Sequence, residues 1–566
     1  MMDTQRLVLW VIFSMSILFL WDSWQKHNGK PSLLFSNPST SAAKLANGNA
    51  VPVSNQPGQT LVGNTNTVTP GAVGVTTTPN TAAPVIRGEV LTLSNDVLKL
   101  NINTLGAVLE RAELLKHKST QDPTKTLVLL DNSAGKVYVA ETGLFGVEGA
   151  PNHLSLFNAT QNNAQLAAGQ QTVSLTLTAE TANLRVSKIF TLKRGSYAID
   201  LKTIVENIST QSVSPMLYMH LKRHGESASQ ASFFAGPAVF TGPAVYTDSE
   251  KFQKISFSDI DKDKAKFTKT ADNGWVALVQ HYFVSAWVPA AKVAREYYAE
   301  KAAVPGEYRV GIKTPLGSIA PGAKSENDSL LWVGPQDQNA LAEIAPGLDL
   351  VVDYGFLTLL AKPMFHLLTW LHALTGNWGW AIVLLTVIIK AIFYFPMASS
   401  YKSMAKMKQV TPKMMALREK YADDRMKLNQ AMMELYKTEK LNPLGGCLPV
   451  LITIPVFLAL YWVLLGSVEM RYAPWIGWVK DLASPDHLYI LPIILAATMW
   501  AQYKLNPVPP DPMQARVLMI MQGVFAVMFL FFPAGLVLYY IVNNILSIAQ
   551  QKFIYIQLEK QGYSMR

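Results

Sequence analysis

Nineteen residues, WGWAIVLLTVIIKAIFYFP at 378–396, constrain this chain more than any other stretch, because only one of them, Lys390, carries a charge. A run of that length and polarity suits a bilayer. Four more apolar runs follow, at 444–467, 488–504, 517–532 and 536–554. Neither Asp nor Glu occurs between Asp353 and Glu419, so no carboxylate close in sequence neutralises the ammonium group. An ionisable residue inside such a segment points by default to a pathway or a polar cavity. Read as a helix running from outside to inside, the segment gives Lys390 a stem that starts toward the membrane centre, since Cα–Cβ bonds lean toward the helix N-terminus. A hydrated pocket suits that geometry better than snorkelling to the interface.

The composition agrees with a membrane protein: 49% apolar and 16% charged residues over 566, with a net charge of +10. The single cysteine, Cys447, excludes an intramolecular disulfide and reads as a small buried hydrophobe. At the N-terminus, MMDTQRLVLWVIFSMSILFLWDSW has one Arg before an apolar run and no small-residue cleavage site after it. Residues 1–27 are therefore expected to form an uncleaved signal-anchor span with a cytoplasmic N-terminus. Residues 28–84 are rich in Gly, Ser, Thr, Asn and Pro, without a charge from Leu45 to Ile86, the composition of a flexible linker.

From 85 to 348 the pattern becomes period two. Leu98, Leu100 and Ile102 alternate, as do Val173, Leu175 and Leu177, and Tyr197, Ile199 and Leu201. Turn signals such as KRGS interrupt the runs, which predicts an antiparallel β-sandwich. No nucleophile elbow, HExxH, phosphate loop or paired Cys occurs, so this region is not read as an enzyme. His220 and His224 have the spacing of a helical metal pair but fall in a strand-like segment, and no metal or other cofactor is assigned.

Charge asymmetry sets the expected topology. The loop 396–442 holds ten basic and five acidic residues, the loop 468–487 two and three. The positive-inside rule places the first in the cytoplasm and the second outside. With the β-domain outside, parity then assigns 349–377, interrupted by Lys362, Pro363, His366 and His372, to an amphipathic helix along the outer interface. Six spans and two cytoplasmic termini result, with Pro533-Ala534-Gly535 as the outer turn between the last two. The core is 378–566, and 397–442 is a cytoplasmic helical hairpin whose halves meet near Ala422-Asp423, with Asp423 as N-cap. Leu428, Met432 and Leu435 fall on one side of its second helix. The hairpin methionines Met404, Met407, Met414, Met415, Met432 and Met433 offer a flexible apolar surface to varied partners, beside their ordinary packing role.

Polar residues in the runs are spaced as stripes. Thr386, Lys390 and Tyr394 are four apart, and Tyr540, Asn544, Ser547 and Gln551 follow steps of 4, 3 and 4. Thr498 and Gln502 repeat the step. Interhelical hydrogen bonds would use such stripes, but a lysine among them favours a water-filled groove.

GNWGWAIVLLTVIIKAIFYFP, NPLGGCLPVLITIPVFLALYWVLLGSVEMRYAPW, DPMQ and FPAGLVLYYIVNNILSIAQQ resemble the YidC/Oxa/Alb family of membrane protein insertases, and the likeness runs over nearly the whole chain. The resemblance implies a polytopic α-helical membrane protein with a five-helix core and a periplasmic all-β supersandwich, in the bacterial inner membrane. It implies a non-enzymatic insertase and chaperone whose groove opens to the cytoplasm and inner leaflet. Its client-binding groove would contain Lys390, Thr386, Tyr394, Tyr539, Tyr540, Asn544, Ser547 and Gln551. The family's central basic residue is often Arg; Lys390 stands there, keeping the charge and losing the bidentate fork. Implied partners are nascent membrane proteins, the ribosome, SecYEG and SecDF translocon components and the lipid bilayer, without nucleic-acid binding by the chain itself. The short tail, LEKQGYSMR, argues against ribosome tethering there. A secondary transporter or channel with a solute-binding β-domain is the alternative, weakened by the lack of an internal repeat.

Overall fold

The computed structural model describes residues 88–561 except 120–121, 134, 226–239, 291, 422–423, 440–447 and 507–511. The expected signal anchor, the linker 28–84, Cys447, Asp423 and the tail beyond Gln561 lie outside the described residues.

The alternating runs form strands because every second side chain reaches one face. Thr172–Glu180, Leu184–Lys193 and Ala198–Asn207 are successive antiparallel neighbours, and Lys324–Pro335 pairs on the far side of the last. Gly195, at φ +71°, supplies the left-handed residue in the tight turn after Lys193. Leu98, Leu100, Ile102, Leu175, Leu177, Ile199 and Leu201 are all fully buried in one apolar cluster. The described strands assemble into a ten-stranded and a nine-stranded sheet that share this cluster. Nearly all neighbours are antiparallel; Val90–Ser94 pairs in parallel with Asn163–Gln165. The sandwich expected from periodicity is present. His220 and His224 lie on the strand Met216–His224, where four residues span roughly 13 Å. Among the described residues no group of three His, Cys, Asp or Glu is placed to hold a metal.

Among the described residues, eight helices longer than eight residues follow the sheets: α1 (Thr358–Thr375), α2 (Trp378–Ile392), α3 (Tyr394–Lys420), α4 (Arg425–Thr438), α5 (Leu448–Gly466), α6 (Ile490–Leu505), α7 (Pro512–Met528) and α8 (Ala534–Lys560). Helix α1 buries Ala361, Met364, Phe365, Leu368 and Leu371 against α2 and α5 and turns Leu359, Trp370 and Leu374 outward. An apolar cluster runs from Tyr246, Trp275 and Trp332 of the nine-stranded sheet, through Leu348 and Tyr354, into α1, α2, α5 and α8. The β-domain and the core are therefore packed together as well as linked in sequence.

The single span expected over 378–396 is corrected. Helix α2 stops at Ile392, and α3 leaves at 68° to it. Pro396 is the cause. In a continuous helix its ring would clash with the Ile392 carbonyl, whereas in the first turn of a new helix its missing N–H costs nothing. Among the described residues no single helix is long and apolar enough to cross a membrane alone; the bent α2–α3 pair meets that requirement together. The hairpin forms as α3 and α4, but its N-cap is Asp424, whose carboxylate accepts from the Lys427 N–H at 3.1 Å. Met432 and Leu435 pack with Val410 and Met414 as the expected seam; Leu428 is only half-buried and lies outside that cluster.

Candidate functional site

A polar cavity of about 260 Å³ lies among α2, α3, α5, α6, α7 and α8, with Lys390 on its wall. Its polar lining is Thr453, Gln502, Asn506, Gln522, Asn543, Asn544 and Ser547, and its apolar lining includes Met397, Met404, Met499 and the rings of Tyr401 and Tyr540. Space of that size holds several waters, each with polar partners in reach. Lys390 Nζ donates to Ser547 Oγ at 2.6 Å, and Ser547 Oγ–H donates to the Asn543 carbonyl at 2.7 Å. Among the described residues no carboxylate forms an ion pair with Lys390. The break at Phe393 places Lys390 in the last turn of α2. There the helix's unpaired carbonyls give a partial negative charge, which lowers the cost of an ammonium group.

Asn544 Nδ2 donates to Thr498 Oγ1 at 3.2 Å, joining α8 to α6. At the opposite end the 468–487 loop covers the bundle. Asn377 Nδ2 donates to the carbonyls of Pro474 and Trp475, both at 3.1 Å. Gly379 has no side chain because the Trp475 ring occupies the space a Cβ would need. The N–H groups of Ala534 and Gly535 donate to the carbonyls of Ser484 and Leu482 at 2.8 and 3.0 Å, which fixes the turn into α8. In this loop Glu469 is half-buried, one of its carboxylate oxygens is shielded without a partner, and desolvation pushes the group up to about 7.

Two family models match the chain: one described as the YidC periplasmic domain, over residues 90–367, and one as the 60Kd inner membrane protein, over 370–561. The membrane protein insertase YidC of Bordetella petrii is 52% identical over 568 residues, covering 99% of both chains. The chain belongs to the YidC family of membrane protein insertases. The Janthinobacterium relative is 49% identical, covering 97% of this chain and 98% of its own. A crystal structure of an active YidC insertase with its first transmembrane domain resolved aligns with a TM-score of 0.37 at 17% identity, covering 82% of this chain and 94% of that one. The transporter alternative falls with this membership, and so does any reading as an enzyme. As a YidC-family protein the chain has a β-rich periplasmic domain and a helical inner-membrane region.

The structure brings together Lys390, Tyr540, Asn544 and Ser547, as the stripes anticipate, with Tyr539 beside Lys390 on an adjoining gap. It separates three others from the cavity. Thr386 is buried and donates to the Ile382 carbonyl of its own helix at 2.7 Å. Tyr394 is carried away by the break, so its stripe ends at Lys390. Gln551 is buried one turn beyond, donating to Tyr555 Oη at 2.9 Å. Of the hairpin methionines, Met404 lines the cavity, Met407, Met414 and Met432 pack in the seam, and Met415 and Met433 are exposed. Sequence reasoning missed Met397, Tyr401, Thr453, Met499, Asn506, Gln522 and Asn543 as lining residues. Gln522, the lone polar side chain in the apolar run 517–532, was the one visible signal among them.

Proposed function

We propose that this chain, in keeping with its family, moves segments of nascent membrane proteins into the inner membrane by receiving their hydrophilic tails in the cavity around Lys390. The observation that carries this reading is an ammonium group held by Ser547 at the wall of a polar cavity inside an apolar helical bundle. Water there shortens the apolar barrier a tail must cross, and the positive charge draws acidic groups toward it. The exposed apolar residues of α7, among them Leu518, Met519, Val524 and Phe525, would guide the client's spanning segment into lipid. Burial of that segment supplies most of the driving force. Outward movement of one acidic charge adds about 2.3 kcal/mol per 100 mV of membrane potential.

The same reading places six spans in the membrane, the α3–α4 hairpin and both termini in the cytoplasm, and α1 along the outer interface. It also includes delivery of clients by the ribosome and cooperation with SecYEG and SecDF. The test is site-specific photo-crosslinking to ribosome-bound nascent membrane chains. Probes at Lys390 and Tyr540 should give adducts with the nascent chain, and a probe at the buried Thr386 should give few. Equal labelling at all three positions, or none at Lys390 and Tyr540, would overturn the assignment of the cavity.

A further inference from the structure

The outer face of the ten-stranded sheet carries a second built site, unconnected with the helical cavity. On the strand Met216–His224, Leu217, Met219 and Leu221 point into the domain core, while Tyr218, His220 and Lys222 point the other way. Two glycines leave room on this face for aromatic rings. Gly143 lies opposite Tyr218 in register, and a Cβ there would collide with the Tyr218 ring. Gly311 lies opposite both His220 and Tyr298, and a Cβ there would meet the His220 side chain and the Tyr298 ring. The tyrosine rings can therefore lie across the sheet as platforms, and the result is an open pocket of about 290 Å³.

Its floor is a fixed hydrogen-bond chain. Tyr298 O–H donates to His220 Nδ1 at 2.8 Å, and His220 Nε2–H donates to Glu141 Oε2 at 2.7 Å. Glu141 also pairs with Lys222 at 2.8 Å. The Tyr218 and His220 rings stack at 5.3 Å and 17°. Tyr218 Oη accepts the His153 backbone N–H at 3.2 Å, so both platforms are immobilised. At the rim, Arg309 pairs with Glu300 at 3.3 Å and Lys313 with Glu296 at 3.0 Å.

We propose that this pocket binds a neutral carbohydrate in its ring form. Each cation around the site already has a carboxylate partner, so the site has no surplus charge with which to capture an anion. What it offers is aromatic surface for the apolar face of a sugar ring, and planar side chains, Asn152, Glu300 and Arg309, whose paired donors and acceptors match vicinal hydroxyls. Such a mixture of apolar walls and a few convergent polar groups is the usual make-up of a small-ligand pocket. A sugar-binding site on the periplasmic domain would give this insertase a contact outside its client groove.

The test is saturation-transfer NMR on the full chain in nanodiscs prepared without sugar-based detergent. The probes are D-glucose, D-galactose and N-acetyl-D-glucosamine, with succinate as the anionic comparison. At least one sugar should show transfer to its ring protons, with succinate showing none. Arg309→Gln and Tyr218→Leu should each cut the transfer at least five-fold, with folding checked by circular dichroism. If Tyr218→Leu fails to fold, Arg309→Gln, at the rim, decides. No transfer to any sugar, transfer to succinate alone, or transfer that survives in the folded variants would overturn the proposal.

Discussion

Replacing Lys390 by alanine removes the one cation that the described residues place on the cavity wall and leaves the Ser547 and Asn543 hydrogen bond in place. A cavity of about 260 Å³ corresponds to a sphere of radius roughly 4 Å, so a client carboxylate inside it sits roughly 4–8 Å from Nζ. At an effective dielectric constant near 20 the attraction is then about 2–4 kcal/mol. The lower figure corresponds to about 30-fold in occupancy, and salt and water in the cavity reduce it further. Insertion can be followed by protease protection for one client with a short acidic translocated tail and for a variant whose acidic residues are made neutral. Lys390→Ala should slow the acidic client about ten-fold or more and the neutral one less than about three-fold. Lys390→Arg keeps the charge and should insert both nearly normally, whereas Lys390→Glu reverses the field and should be worst for the acidic client. Equal sensitivity of the two clients to Lys390→Ala would refute direct attraction and leave hydration of the cavity as the lysine's contribution.

Gly379→Ala forces a methyl group into the Trp475 ring and should destabilise the folded chain by about 1–3 kcal/mol, seen as a lower unfolding temperature in nanodiscs; an unchanged transition would show that the loop yields freely. Glu469 is raised to about 7 from its ordinary 4.5, so between those values the folded chain keeps a proton that the unfolded chain releases, and stability falls as pH rises. Glu469→Gln should therefore stabilise the protein at pH 8, by on the order of 3 kcal/mol at most, and have no effect near pH 4; the same gain at both values would rule the carboxyl out as the cause. Deleting most of 90–320 while keeping α1 should leave insertion largely intact but lower thermal stability, because Tyr246 and Trp275 are lost from the cluster beneath Leu348 and Tyr354. Complete loss of insertion with the core still folded would sink that expectation.

The sequence alone determined the elements whose cause is local. Side-chain period and turn chemistry are properties of neighbouring residues, so the sandwich, the hairpin, the turn at Pro533-Ala534-Gly535 and the stripe from Tyr540 to Ser547 were legible. The wide separation of Lys390 from any acidic residue was legible too, and it led to the cavity. Pro396 carried a legible signal that apolar length outweighed, so α2 was read four residues too long and Tyr394 was placed on the wrong helix. Tertiary structure alone decided which polar residues share the cavity. Asn506 follows α6, Gln522 lies on α7 and Asn543 on α8, and the spacing within one helix says nothing about where another lies. It also decided what an inward position can tolerate. Lys188 falls on the buried phase of the strand Leu184–Lys193, where alternation expects an apolar residue. It is accommodated because the Gly106 and Thr142 carbonyls, 82 and 46 residues away, accept from its ammonium group at 2.8 and 2.9 Å. Local patterns fix which way a side chain faces; only the folded chain brings up the distant partner that makes burying a charge affordable.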